Sequence, residues 1–281
     1  MANARHAAYL RALDVEVYVP RDAPILSAEP PGAIVQPPPQ PASRGAAPIV
    51  VPAPDAAAHA GRVVRAGPSS APRDDAAIVA VPDYSGHGWD ELRAAVAACR
   101  RCELHASRTQ TVFGVGNRHA RWMFIGEAPG QEEDRQGEPF VGRAGQLLTA
   151  MIRALGMKRE DVYIANVLKC RPPGNRDPRP AEAASCRAFL ERQVALVDPA
   201  LVIAVGRIAA QDLLATETPI AKLRGKVHSF GAKGWPLIVT YHPAYLLRSP
   251  GEKRKAWQDL LYARQTLLRL ERDRAGAGLD A

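Results

Sequence analysis

No stretch of this sequence approaches the roughly 20 consecutive apolar residues that a bilayer span requires. The N-terminus, MANARHAAYLRALDVEVYVPRD, has charges scattered through it and lacks the apolar core of a signal peptide. Membrane insertion and secretion are therefore disfavoured, and a cytoplasmic, nucleoid-associated location is the expectation. Cysteine is scarce, with four in 281 residues. In an intracellular chain this long, that points to metal or redox chemistry ahead of a disulfide framework. Aromatics, at 6%, and charged residues, at 23%, are ordinary for a globular protein and exclude little.

Proline, by contrast, is abundant and unevenly placed. Fourteen of the 25 prolines lie between Pro20 and Pro82, in stretches such as PPPQPA and VPAPDAAAHA. Such composition favours extended backbone and buries too little apolar surface to offset chain entropy. Residues 20–85 thus read as a disordered Pro/Ala-rich linker, and residues 1–19 as a short docking segment for a repair or replication partner or a remnant without function. Residues 1–85 carry seven Arg and eight acidic residues, so the net charge of +8 becomes +9 over residues 86–281. A basic excess confined to one part of a chain suits a polyanionic partner.

From Trp89 the pattern alternates. Helices are expected over Trp89–Ala98, Ala144–Leu155, Ala181–Val197, Ile208–Leu214 and Glu252–Leu270. Strands are expected at Arg121–Ile125, Val162–Val167, Leu201–Val205 and Leu237–Thr240. The expected fold is a three-layer α/β/α domain over residues 86–275, with a central, mostly parallel four-stranded sheet. In such sheets ligands sit beyond the carboxyl ends of the strands, which singles out the loops after Ile125, Val167 and Thr240. The first, GEAPGQEED, crowds Glu127, Glu132, Glu133 and Asp134 together, a costly arrangement unless something needs the charge. The second follows Asn166, an amide in an otherwise apolar strand that must find hydrogen-bond partners. The third places His242 just past a strand end, stiffened by Pro243.

The cysteines stand at 99, 102, 170 and 186, a C-x2-C pair and a C-x15-C pair. Four thiolates can hold tetrahedral zinc or an iron–sulfur cluster, and spacing does not choose between them.

GEAPGQEED, EPFVGRAG, YIANVLKCRPPGNRDP and HPAYLL, interleaved in this order with those cysteines, resemble a family 4 uracil-DNA glycosylase, the iron–sulfur type. The resemblance covers about residues 90–270. It implies a DNA repair hydrolase that cleaves the N-glycosidic bond of uracil in single- or double-stranded DNA, leaving an abasic site, and that acts as a monomer. It also implies one [4Fe–4S] cluster on Cys99, Cys102, Cys170 and Cys186. By the same resemblance Phe140 stacks on uracil, and Asn166 reads the base edge. His242 donates to O2, the backbone of Ala128 contacts the base, and Glu133 lies near C5, where a thymine methyl would project. Ala128 occupies the place where the best-studied branch has a water-positioning Asp, so that role does not transfer. Glu127 is the carboxylate expected to stabilise the sugar cation, with Asp134 in reserve. Arg143, Arg171, Leu247 and Arg248 are expected to face DNA. No His or basic insert lies within Gly137–Leu147, which disfavours covalent capture of DNA. A metal-stabilised DNA-binding module or an electron-transfer protein would explain the cysteines, but not three chemically loaded strand ends.

Overall fold

The computed structural model describes residues 82–277. The expected docking segment and all but the last residues of the expected linker lie outside them.

Four short, almost wholly apolar segments form the parallel centre of the sheet: β2 (Trp122–Gly126), β3 (Tyr163–Asn166), β4 (Leu201–Val205) and β6 (Trp235–Thr240). Strands buried on both faces read as continuous rather than alternating hydrophobic runs, and β2, β3 and β4 are buried at every residue. The order is β1-β3-β2-β4-β6-β5. Two short antiparallel strands, β1 (Val115–Gly116) and β5 (His228–Phe230), close the edges. The four expected parallel strands are thus flanked by two that the sequence pattern does not announce. Segments of two and three residues carry no measurable periodicity.

Alternate residues of each strand feed two cores. Phe124, Ile164, Ile203 and Ile238 meet Leu148 and Ile152 of α3 (Arg143–Ala154) and Leu260 and Ala263 of α8 (Lys253–Ala277). Met123, Ala165, Val202 and Val239 meet Leu190 and Val194 of α4 (Pro180–Val197), with Ala209 and Leu213 of α5 (Arg207–Leu213). The helix α1 (Trp89–Ala98) adds a satellite cluster in which Leu92 and Val96 pack on Phe113 and Phe189. Period-two strands between helices on both faces are the three-layer solution for burying such faces. No helix among the described residues is long and apolar enough to cross a membrane.

Three short helices, all unannounced, sit at or near the strand ends: α2 (Gln131–Gln136), α6 (Ile220–Leu223) and α7 (Pro243–Arg248). α2 starts by a Glu at its third position reaching back, with Glu133 accepting from the Gly130 N–H at 3.1 Å. α7 starts with Pro243, whose missing N–H is no loss at a helix start.

Candidate active site

The carboxyl ends of β2, β3, β4 and β6 open into one cavity of about 740 Å³. Register sets this up, because Gly126 pairs with Asn166 and Val205 with Thr240. Glu127, Asn166 and His242, from three different strand ends, all line it, with Ala128, Glu133 and Phe140. Gly126 lets these groups crowd together. A Cβ there would stand 2.5 Å from both Asn166 Oδ1 and the Phe140 ring. Gly206, with φ +101°, similarly lets the β4 end pass against His242.

Asn166 is 2% exposed, and its Oδ1 is buried without a hydrogen-bond partner. A buried acceptor left unpaired costs stability, so the site holds in reserve an acceptor suited to an N–H on a ligand. His242 is arranged in the opposite sense. Its Nδ1 accepts from the Ala244 N–H at 3.1 Å and caps α7. An imidazole that accepts at Nδ1 carries its proton on Nε2 when neutral. Burial, reinforced by the Arg248 charge and opposed by Glu133, pushes its pKa down to about 4. His242 is therefore a neutral donor at physiological pH.

Glu127 is also displaced from ordinary behaviour. Burial, then the Asp177 charge, raise its pKa to about 7, against a pull downward from Arg207. A carboxyl poised near neutrality in a cleft is matched to acid–base work. Asp177 and Arg207 form an ion pair at 2.7 Å, and both line the cavity. They come from the loop after β3 and from the end of β4, the strands on either side of β2. The strand-end rule, applied in the sequence to three strands, would have found Arg207 at the fourth.

Phe140 has φ +56°, a left-handed conformation that costs a non-glycine residue energy. Three contacts impose it. Glu133 Oε1 accepts from the Val141 and Gly142 N–H groups at 2.9 and 3.0 Å. Arg159 donates to the Pro139 carbonyl at 2.5 Å. Gly145 leaves room for the Phe140 carbonyl, which any Cβ there would overlap. The Phe140 ring lies 5.7 Å from the His242 ring, tilted by 33°.

The neighbouring carboxylates of the same loop are held by backbone N–H groups. The reserve carboxylate, Asp134, is 4% exposed, does not line the cavity, and accepts from the Thr109 N–H with both oxygens at 3.0 Å. It braces the segment before β1 and has no face toward the cavity. Glu133 does line the cavity, but three backbone N–H groups engage its carboxylate. Of the residues expected on DNA, Arg248 lines the mouth, while Leu247 and Arg143 are exposed. Arg171 is turned onto its own loop, with Nε donating to Asn175 Oδ1 at 2.7 Å.

The four cysteines form no disulfide. Cys170 and Cys186 are buried and Cys99 and Cys102 half-buried. Burial pushes Cys186 up to about 12, and Cys170 and Cys102 also rise. Neighbouring cysteines contribute to these rises: Cys170 and Cys102 at Cys186, Cys102 and Cys99 at Cys170, and Cys99 at Cys102. Arg108 Nη1 donates to Cys170 Sγ at 3.0 Å. Among the described residues no three His, Cys, Asp or Glu side chains are grouped closely enough to hold a single metal ion.

The family described as the uracil DNA glycosylase superfamily matches residues 113–261. A type-4 uracil-DNA glycosylase of Archaeoglobus fulgidus is 47% identical over 167 residues, 57% of this chain and 84% of its own. One from Thermotoga maritima is 47% identical over 156 residues, 55% of this chain and 80% of its own. A type-5 uracil-DNA glycosylase of Thermus thermophilus is 32% identical over 153 residues, 47% of this chain and 68% of its own.

Proposed function

Because the chain belongs to the uracil-DNA glycosylase superfamily, we propose that its strand-end cavity takes a uracil flipped out of DNA and that Asn166, His242, Phe140 and Glu127 divide the work of excision. The enzyme removes uracil from DNA; the proposal concerns how. A base inside a duplex is out of reach, so it must leave the stack and enter a fitted pocket.

The observation that carries the reading is the unpartnered Oδ1 of Asn166. Uracil offers an N3–H donor beside the O4 acceptor, the complement of one amide that accepts with Oδ1 and donates with Nδ2. Cytosine reverses both, so the same amide meets it acceptor to acceptor and donor to donor. His242, neutral with its proton on Nε2, suits donation to O2 as the bond to the base breaks. Negative charge grows on the departing uracil, and a donor preset where charge develops is the largest usual term in catalysis. A neutral donor keeps its proton while stabilising that charge. Phe140 stacks on the base, and the Ala128 backbone borders it. Glu127 acts on the sugar side. Its anion stabilises the oxocarbenium-like sugar, and a carboxylate with a pKa of about 7 can take a proton from the attacking water.

We infer further that Cys99, Cys102, Cys170 and Cys186 hold a [4Fe–4S] cluster. Free thiols that burial keeps protonated suit a group that binds thiolates and supplies the charge to stabilise them. Such a cluster takes one thiolate per iron, a different demand from four ligands closing on one ion. When bound, it supplies a cross-link between the segment after α1, the loop after β3, and α4.

The test of the pocket is single-turnover excision from a uracil oligonucleotide at saturating enzyme. Asn166→Asp replaces the amide donor with an acceptor. It should abolish uracil excision and bring a trace of activity on cytosine, while DNA binding changes little. Wild-type uracil excision by that variant would remove Asn166 from the base edge. Iron and sulfide analysis of anaerobically purified protein tests the cluster, with about four of each per chain expected for a [4Fe–4S] group.

A further inference from the structure

The cavity of about 740 Å³ has the size of a small-molecule site, with room for more than a flat base. Besides the base-reading residues, its lining holds a cation and an anion that the division of work above leaves idle, Arg207 and Asp177. Arg207 Nη2 donates to Asp177 Oδ2 at 2.7 Å, and its Nη1 donates to Gln211 Oε1 at 3.1 Å, one turn further along α5. Asp177 is fixed from another direction. Arg176 donates to its backbone carbonyl at 3.0 Å and, through both Nη atoms, to Glu182 of α4 at 2.9 and 2.6 Å. Glu182 is 3% exposed and also accepts from the Arg179 N–H at 2.8 Å. The anion thus stands on a braced loop, while the cation is carried at the end of a long side chain.

The pair lies half in solvent, with the Arg207 side chain 51% and the Asp177 side chain 64% exposed. A salt bridge so exposed adds little to stability, so it changes partners at small cost. A phosphodiester offers a guanidinium what a carboxylate does, two oxygens that accept from its planar fork. A nucleotide whose base enters this cavity brings its sugar to Glu127 and carries two phosphates on that sugar. Glu127, Asp177 and Arg207 share one lining, and the charges of the last two act on the Glu127 carboxyl. A phosphate arriving there is attracted by Arg207 and repelled by Asp177. Arg207, on the longer side chain, is the partner free to turn toward it.

We propose that the Asp177–Arg207 ion pair is an exchangeable latch, closed in the free protein and opened by DNA, in which Arg207 leaves Asp177 for a phosphate flanking the flipped deoxyuridine. The inference rests on the base-flipping reading above and adds to it a ligand for the sugar–phosphate part of the nucleotide. Asp177 is the competitor in this exchange. It keeps the guanidinium pointed into the cavity while the site is empty, and it lowers the net gain when the phosphate takes its place. Gln211 holds the other arm of the guanidinium in both states.

The experiment measures affinity of the full-length protein for a single-stranded oligonucleotide carrying one 2′-fluoro-2′-deoxyuridine, whose fluorine destabilises the sugar cation and so slows cleavage. Two further strands replace the phosphate on the 5′ or the 3′ side of that nucleotide with a neutral methylphosphonate. Arg207→Gln should weaken binding about tenfold, the scale of one charge-assisted hydrogen bond. One of the two methylphosphonates should weaken wild type by a similar factor and leave Arg207→Gln nearly unaffected. Asp177→Asn should tighten binding roughly two- to fivefold, because an exposed pair no longer has to be broken, and should do so only while Arg207 is present. Methylphosphonates that affect wild type and Arg207→Gln equally overturn the proposal. So does an Asp177→Asn gain of the same size in the Arg207→Gln background, which would make Asp177 a bulk charge. If Arg207→Gln does not fold, wild type decides: flanking methylphosphonates that cost no more than one placed far from the uracil overturn the latch. Wild type that binds the fluorouridine strand no tighter than the same strand with thymidine refutes base flipping into the cavity, and the latch with it. Tight binding without the coupling refutes the latch alone.

Discussion

Glu127 and His242, both half-buried, line the same cavity, and desolvation drives their protonation in a common direction: both are held neutral over ranges where free side chains would be charged. For Glu127 the consequence is a pH dependence that can be read directly. In the proposed role its anion is the working form, so single-turnover excision should decline as pH falls through about 7, and Glu127→Gln should be slower and lose that slope. His242, with a pKa of about 4, should add no further limb between pH 5 and 8. His242→Ala should lower the rate by roughly 10²–10³, the usual scale for one oxyanion donor, with a much smaller effect on DNA affinity. Stability carries the opposite signature. The folded-state pKa of Glu127 lies above its ordinary value near 4.5, so its contribution is fully present below that value and is lost as pH rises through about 7. Calorimetry should accordingly find Glu127→Gln raising Tm relative to wild type at pH 8, and doing so less at pH 5. An equal shift at both pH values would mean that the carboxyl is not held back from ionising.

At the scale of elements, the loop between α2 and α3 stores strain at Phe140, the residue proposed to stack on the flipped base. Glu133 begins α2 and, with Arg159, holds the Pro139–Gly142 peptides, so helix start and stacking platform depend on the same carboxylate. Phe140→Ala and Phe140→Gly should both lose base stacking, worth about 1–3 kcal/mol. They should differ in folding. Glycine adopts a φ near +56° freely, so Phe140→Gly should be more stable than Phe140→Ala by about 1 kcal/mol in urea denaturation. The reverse order would show that the loop relaxes once the ring is gone. A second brace works at the other side of the cavity. Asp259 of α8 accepts from Arg224 at 2.7 and 3.0 Å and from Thr240 Oγ1 at 2.9 Å. Thr240 ends β6 two residues before His242, so a buried ion pair fixes the strand end from which the imidazole projects.

For the molecule as a whole, the cavity, its braces and the four cysteines all fall within residues 82–277. A chain beginning at residue 82 should therefore excise uracil from a short oligonucleotide at nearly the full-length rate. A large loss of turnover on truncation would assign residues 1–81 a share of the site. The +9 charge carried after residue 85 should also make DNA affinity fall steeply with salt, as counterion release requires.

By itself the sequence determined the four parallel strands and the helices that cover them, because apolar runs and 3.6-residue periodicity are local signals. It singled out three of the strand ends that meet in the cavity, because Glu127, Asn166 and His242 stand just beyond or at the end of those runs. Only the tertiary structure decided what the charged groups do. Asp134 and Glu133 look alike in GEAPGQEED, yet one braces Thr109 and the other holds the Phe140 loop, and no local pattern tells them apart. Asp177 meets Arg207 across 30 residues, and Lys169 meets Gln193 across 24. Hydrophobic order along a chain follows from each residue and its neighbours. The partner of a hydrogen bond or a charge is set by which distant backbone the fold brings within 3 Å.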